Sequence, residues 1–221
     1  MQESAASCDI TAERLLDGGA NTLYLCGPLH EQHRVRAVFE TVLAQLIEAI
    51  ADRHTRGETL TRPVLMVLDE AANIAAPTHL DQVISTAASM GLQLVTVWQD
   101  LAQLHARYGT NRAQTIFSNS RARLILPGIA DTTTLTEITR ITGDTPVTQA
   151  HTTRDPRGAT SVGEGTTYRP LVPPDDLRQL PKNHGLLIYD NLPPVVLRLR
   201  PWWRDRTLRT LHHATPTRRA G

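Results

Sequence analysis

Asp69 and Glu70 close the apolar run Val64-Leu65-Met66-Val67-Leu68, and adjacent carboxylates in that setting suit a specific chemistry. A continuous aliphatic run entered at Pro63 reads as a buried parallel strand. Open α/β sheets bind ligands beyond the C-terminal ends of such strands. One carboxylate there can help hold Mg²⁺ while the next orients a water toward a phosphoryl group. Such a pair normally serves a phosphate loop, G-x-x-x-x-G-K-[ST], which needs a lysine. The only lysine is Lys182, in Pro181-Lys182-Asn183. A plainer role also fits the acids, since carboxylates favour the N-terminus of a following helix. Gln99 ends a second apolar run, Leu92 to Trp98. Its amide can donate to phosphate and accept from water, or simply meet solvent at a strand end.

The elements that must position these groups alternate along the chain. Thr22–Cys26 is an expected strand closed by Gly27-Pro28. Apolar residues at Val35, Val38, Phe39, Val42, Leu46, Ile47 and Ile50 predict an amphipathic helix. After the acid-tipped strand, Thr78 and Asp81 resemble a capping box for a helix carrying Leu80, Val83, Ile84 and Ala87, stopped by Gly91. Residues 92–98 form a second expected buried strand and Arg123–Leu126 a third. Asp131 is placed to cap a helix with Leu135 and Ile138, ending at Gly143. Strand and helix in this order predict a mostly parallel sheet flanked by helices. Leu186–Tyr189 and Val195–Leu199 read as a C-terminal strand pair around Asp190–Pro194. The thin aliphatic content of residues 149–168 predicts a mobile loop. Residues 1–20 are an expected linker and 206–221 an expected basic disordered tail.

With 221 residues and a formal charge of +1, the chain can bury one substantial core, and its overall charge excludes a global electrostatic grip on nucleic acid. Cys8 and Cys26 form no C-x-x-C pair, which fits a reducing compartment. No stretch is long and apolar enough to cross a bilayer. His30 and His33 share a spacing but lack partners for a metal set, and His212-His213 read as solvated. Trp98, Trp202 and Trp203 read most simply as packing residues, with stacking on a base or a partner as the alternative for the last two. Arg198, Arg200, Arg204, Arg206 and Arg209 form the densest basic stretch, either a solvated face or a contact for DNA phosphates or an acidic protein.

The ordered set of motifs resembles the type IV secretion coupling proteins, the TraD/TraG group of conjugative DNA-transfer ATPases. Pro63 to Ile74 looks like that family's acidic motif, and Val97-Trp98-Gln99-Asp100-Leu101-Ala102-Gln103-Leu104 like its strand-then-glutamine motif. Ser118–Arg121, Ile141–Asp144 and Arg169–Leu177 continue the match, over roughly Thr22 to Asp205. The resemblance implies residues 21–205 as the C-terminal portion of a RecA-like P-loop NTPase domain, without its Walker A half. It implies Mg-ATP as the cofactor, Asp69 holding Mg²⁺ through water, Glu70 polarising the attacking water, and Gln99 sensing the γ-phosphate. Ala88 occupies the position of the family's trans-acting arginine.

The implied partners are the missing motor half or full-length homologues in a hexamer, DNA, and relaxosome and secretion components. Membrane contact is expected only indirectly, at the cytoplasmic face of the plasma membrane. Without the phosphate cradle, this chain alone is expected to hydrolyse no ATP. A non-catalytic docking module for relaxosome or secretion proteins is the alternative reading, as is a truncated gene product.

Overall fold

The structure, a computed structural model, describes residues 10–17, 19–60, 62–73, 76–154 and 160–214. It divides after Ser120 into two units, each with its own core. The first contains α1 (Ala12–Leu16), α2 (Gln32–Thr55), β1 (Val64–Leu68), α3 (Leu80–Thr86), β2 (Leu92–Thr96), α4 (Leu101–Tyr108) and α5 (Thr110–Asn119). β1 and β2 pair in parallel, Val64 opposite Leu92 through Leu68 opposite Thr96. Gly91 makes the turn into β2 at φ 76°, a conformation costly for a side chain with a Cβ.

The two strands depart from the expectation of burial on both faces. Met66, Leu68 and Leu92 are buried, whereas Leu65, Val67 and Val95 are 61%, 56% and 45% exposed. The helices of the unit build a core on one side of the pair, so the alternation of the pleat divides the apolar run between core and surface.

Thr22–Cys26 pairs with no strand and has no regular structure. Leu25 nevertheless packs on the core, and a Cβ on Gly27 would lie 2.9 Å from Val35 Cγ2, so the segment runs tightly over α2. The linker expected at 1–20 contains α1, whose Leu16 joins the core and whose C-cap Asp17 meets Arg53 at 2.6 Å. Residues 1–9 and 18 of that segment lie outside the described residues.

The capping box expected at Thr78 and Asp81 does not form. His79 takes the N-cap position of α3 without a side-chain bond. Arg112 of α5 instead donates to Asp81 Oδ1 at 2.6 Å and to the Thr78 carbonyl. This bond holds the Asp81 carboxyl below its ordinary range, against a smaller opposing effect of burial. A depressed carboxyl contributes its stability above the unfolded pKa of about 3.9, and that contribution disappears as pH falls through the folded value. Asp81→Asn is therefore expected to flatten the acid limb of a thermal melting series below about pH 4. An unchanged acid limb would show that the ion pair contributes nothing.

The second unit holds β3 (Ala122–Ile125), α6 (Thr132–Thr142), β4 (Asp144–Arg154), β5 (Thr160–Pro170), α7 (Pro174–Arg178), β6 (His184–Tyr189), β7 (Val195–Arg198) and α8 (Arg206–Ala214). Asp131 caps α6 as expected, accepting from the Thr134 N–H at 2.7 Å. The expected C-terminal strand pair also forms, as antiparallel β6 and β7.

The expected mostly parallel sheet does not form. β3 is antiparallel to β6, giving the order β3-β6-β7, and β1–β2 is the single parallel pair among the described strands. Periodicity marks a strand without naming its partner; β3 meets β6 from much later in the chain, and Ile125, Leu186 and Ile188 close a core with α6 and α7.

The expected mobile loop is mainly an antiparallel ribbon, β4 against β5 from Asp144–Pro170 to Arg154–Thr160. Its Thr-rich composition favours strands. Residues 155–159 lie outside the described residues. Part of the expected disordered tail is likewise regular: α8 begins after Asp205, whose carboxylate accepts from the Thr207 and Leu208 N–H groups. Residues 215–221 of that tail are outside the description.

Candidate functional site

The parallel register brings the two sequence motifs to one rim. Val97 N–H donates to the Leu68 carbonyl at 3.0 Å, and Ala71 N–H to the Val97 carbonyl at 3.2 Å. The backbone carrying Asp69 and Glu70 therefore runs beside the backbone leading to Gln99. All three side chains are exposed, so they are open to a ligand arriving from solvent.

No helix follows the acids directly; a turn does. Asp69 Oδ1 accepts from the Glu70 N–H at 3.1 Å, and Asn73 N–H donates to the Glu70 carbonyl at 2.8 Å. Glu70 sits at φ 50°, a left-handed conformation that costs a non-glycine residue about 1–2 kcal/mol. The buried Ala71, 1% exposed, pins the far side of this turn to the core.

Gln99 is held from the other strand. Asp100 caps α4 by accepting from the Gln103 N–H at 2.9 Å, and Gln103 Oε1 accepts from the Gln99 N–H at 3.1 Å. Trp98 donates to Thr96 Oγ1 at 2.9 Å and meets the Tyr108 ring edge-on, centroids 6.1 Å apart. Tyr108 in turn donates to the Pro77 carbonyl at 2.8 Å, and burial pushes its hydroxyl up to about 12. Trp98 thus packs as expected, and in doing so fixes the loop that presents Gln99. The supporting pair Asp100 and Gln103 escaped the sequence reading, although Asp-x-x-Gln at a helix start carries a capping signal.

Exposed carboxylates at a strand rim suit a hydrated divalent cation, which prefers hard oxygen ligands and keeps several waters. Among the described residues no cluster of three or more His, Cys, Asp or Glu is placed to hold a metal by itself. Lys182 belongs to the second unit, in the turn before β6. The rim of the first unit thus presents two carboxylates and an amide to solvent. Ala88 is exposed near the start of the α3–β2 connection.

The motif order on this scaffold corresponds to a known family. The profile described as the TraM recognition site of TraD and TraG matches residues 63–182, more than half the chain. The chain belongs to the TraG and TraD family of coupling proteins. Conjugal transfer protein TraG of Agrobacterium fabrum (strain C58) is 24% identical over 199 residues, covering 88% of this chain and 29% of that protein. Protein VirD4 of the same organism is 25% identical over 191 residues, covering 86% of this chain and 28% of that protein. The chain thus spans less than a third of these relatives.

Among solved structures, the bacterial conjugative coupling protein TrwBdeltaN70 in its trigonal sulphate form matches with a TM-score of 0.69 at 20% identity, covering 87% of this chain and 43% of that one. Plasmid coupling protein TrwB in complex with ADP and Mg²⁺ matches at a TM-score of 0.59 and 18% identity, over 77% of this chain and 38% of that one. The shared fold is a mixed α/β, RecA-like partial domain.

Proposed function

We propose that this coupling-protein segment supplies the acid and sensor half of an ATP-driven motor for conjugative DNA transfer. In this reading Mg-ATP binds jointly with a phosphate-binding half that lies outside this sequence. Asp69 holds the hydrated Mg²⁺, Glu70 takes up the proton of the attacking water, and Gln99 hydrogen-bonds the γ-phosphate. The observation that carries the reading is the β1–β2 register, which sets Asp69-Glu70 and the approach to Gln99 on the same rim. By analogy with the family, the working assembly is a hexamer at the cytoplasmic face of the membrane, contacting DNA and relaxosome proteins. No helix among the described residues is long and apolar enough to cross a membrane.

The test is Mg-ATP turnover by the purified chain alone and after mixing with a separately expressed phosphate-loop half of a related coupling protein. The chain alone is expected to show background turnover, and the mixture turnover that saturates with either component. Robust turnover by the chain alone, or none in a mixture shown to associate, overturns the division of labour.

The profile over residues 63–182 is described by recognition of TraM, which favours a second reading as a docking module. Pull-down of a TraM-type protein by wild type and by Glu70→Gln separates the two. Docking is indifferent to Mg-ATP and to the substitution, whereas nucleotide-linked assembly needs Mg-ATP and is prolonged when Glu70→Gln removes turnover.

A further inference from the structure

The segment after β7 contains a patch that the motor chemistry leaves unused. Trp202 and Trp203 occupy a short 3₁₀ turn, Trp202–Arg204, immediately before α8. Their rings meet edge to face, centroids 5.9 Å apart at 84°, and Trp202 also contacts the His212 ring at 4.9 Å. That contact folds α8 back over the tryptophan. Leu208, Leu211 and His212 have the i, i+3, i+4 spacing of one helix face. Trp202, Trp203, Leu208 and Leu211 nevertheless remain 45%, 58%, 48% and 57% exposed.

The charge around this apolar face is of one sign. Between residues 198 and 214 the sole acid is Asp205, against Arg198, Arg200, Arg204, Arg206 and Arg209. Asp205 is already engaged, capping α8 and meeting Arg200 at 3.5 Å. Arg204, Arg206 and Arg209 are exposed and cationic beside the exposed leucines and tryptophans.

We propose that the Trp202–Leu211 surface docks onto an anionic phospholipid bilayer, with α8 lying in the plane of the interface. Leu208, Leu211 and the two indoles enter the boundary between headgroups and acyl chains, and the three arginines meet lipid phosphates. An amphipathic helix with cations on one side and Trp and Leu on the other has the chemistry of that interface. Single-stranded nucleic acid fits less well. It would use the arginines but leave both leucines in water, and a ring pair set edge to face, with His212 packed on one member, is a poor platform for parallel base stacking. A nine-residue helix makes a supplementary, reversible contact rather than an anchor. Membrane contact is then direct, where the sequence led to the expectation of an indirect one.

The full chain is tested by co-sedimentation with vesicles of phosphatidylglycerol and phosphatidylethanolamine, against vesicles of phosphatidylcholine alone. Partition is expected to be at least about tenfold stronger to the anionic vesicles, to weaken with salt, and to shift tryptophan emission to the blue. Leu208→Ser with Leu211→Ser is expected to lower partition about tenfold or more. Arg206→Glu with Arg209→Glu should produce a similar loss, with unchanged circular dichroism in both variants. These positions are exposed, so the substitutions leave the core intact. Equal partition to both vesicle types, or undiminished partition of the leucine variant, overturns the proposal. So does displacement of bound vesicles by a single-stranded oligonucleotide at equimolar charge, which would assign the patch to nucleic acid.

Discussion

Glu70→Gln, introduced into the chain joined with its phosphate-binding half, is expected to lower ATP turnover by about 10²–10⁴-fold while leaving the KM for nucleotide within about threefold. Glutamine keeps the shape and the exposure at the rim but cannot accept a proton, so the loss falls on kcat. Asp69→Asn is expected to act differently, raising the Mg²⁺ concentration for half-maximal rate, because its proposed contact is with the cation's water shell. Glu70→Gly adds a structural control. The residue stands at φ 50°, where glycine is free of the Cβ penalty. The glycine variant should therefore match or exceed wild type in thermal stability while losing turnover. A purely structural carboxylate would reverse that pattern, with stability falling and kcat preserved. Wild-type kcat in Glu70→Gln would remove the carboxylate from the chemistry altogether.

The strand ends that carry the candidate residues were legible because their markers are local. An aliphatic run ending in two acids and a second run ending in glutamine fix the strand ends, and a parallel pair aligned Leu68 with Thr96 does the rest. What supports the site was less visible. Arg107 bridges to Glu40 and the Ala76 carbonyl, and Arg112 to Asp81. These contacts join residues more than thirty positions apart, and no periodicity encodes them. The left-handed backbone at Glu70 was hidden for a related reason: nothing about a glutamate advertises positive φ.

The fold was legible as elements and misread as a sheet. A run such as Arg123–Leu126 reads identically whether its neighbour is parallel or antiparallel, and the choice of β6 as partner depends on residues some sixty positions later. Thr22–Cys26 failed in the opposite direction, apolar enough for a strand yet without a partner ladder. The ribbon of β4 and β5 was missed because its ladder forms across a single strand pair, leaving the outward-facing backbone groups to solvent, without the aliphatic side chains by which strands are usually recognised.

Leu80→Ala is expected to destabilise the first unit by about 2–5 kcal/mol, whereas Leu65→Ala should cost less than about 1 kcal/mol. Both residues are leucines beside the same sheet, and composition alone treats them alike. Leu80 is fully enclosed at 0% exposure, at the start of α3 and within the main core, whereas Leu65 is 61% exposed on the far face of β1. Truncating the first leaves a cavity among packed neighbours; truncating the second removes methyl groups that already face water. Amide hydrogen exchange of the β1–β2 segment reads the difference without a global unfolding transition, which two units need not share. In the regime where exchange follows opening free energy, Leu80→Ala should accelerate the Met66 and Val95 amides, which lie in the β1–β2 ladder, by roughly 30-fold or more, and Leu65→Ala by less than about sixfold. Comparable acceleration by both variants would mean that the outer face of β1 is covered in solution. The sheet would then be buried on both sides after all, as its unbroken aliphatic sequence implies, and the open face of Leu65, Val67 and Val95 would be occupied by another polypeptide surface.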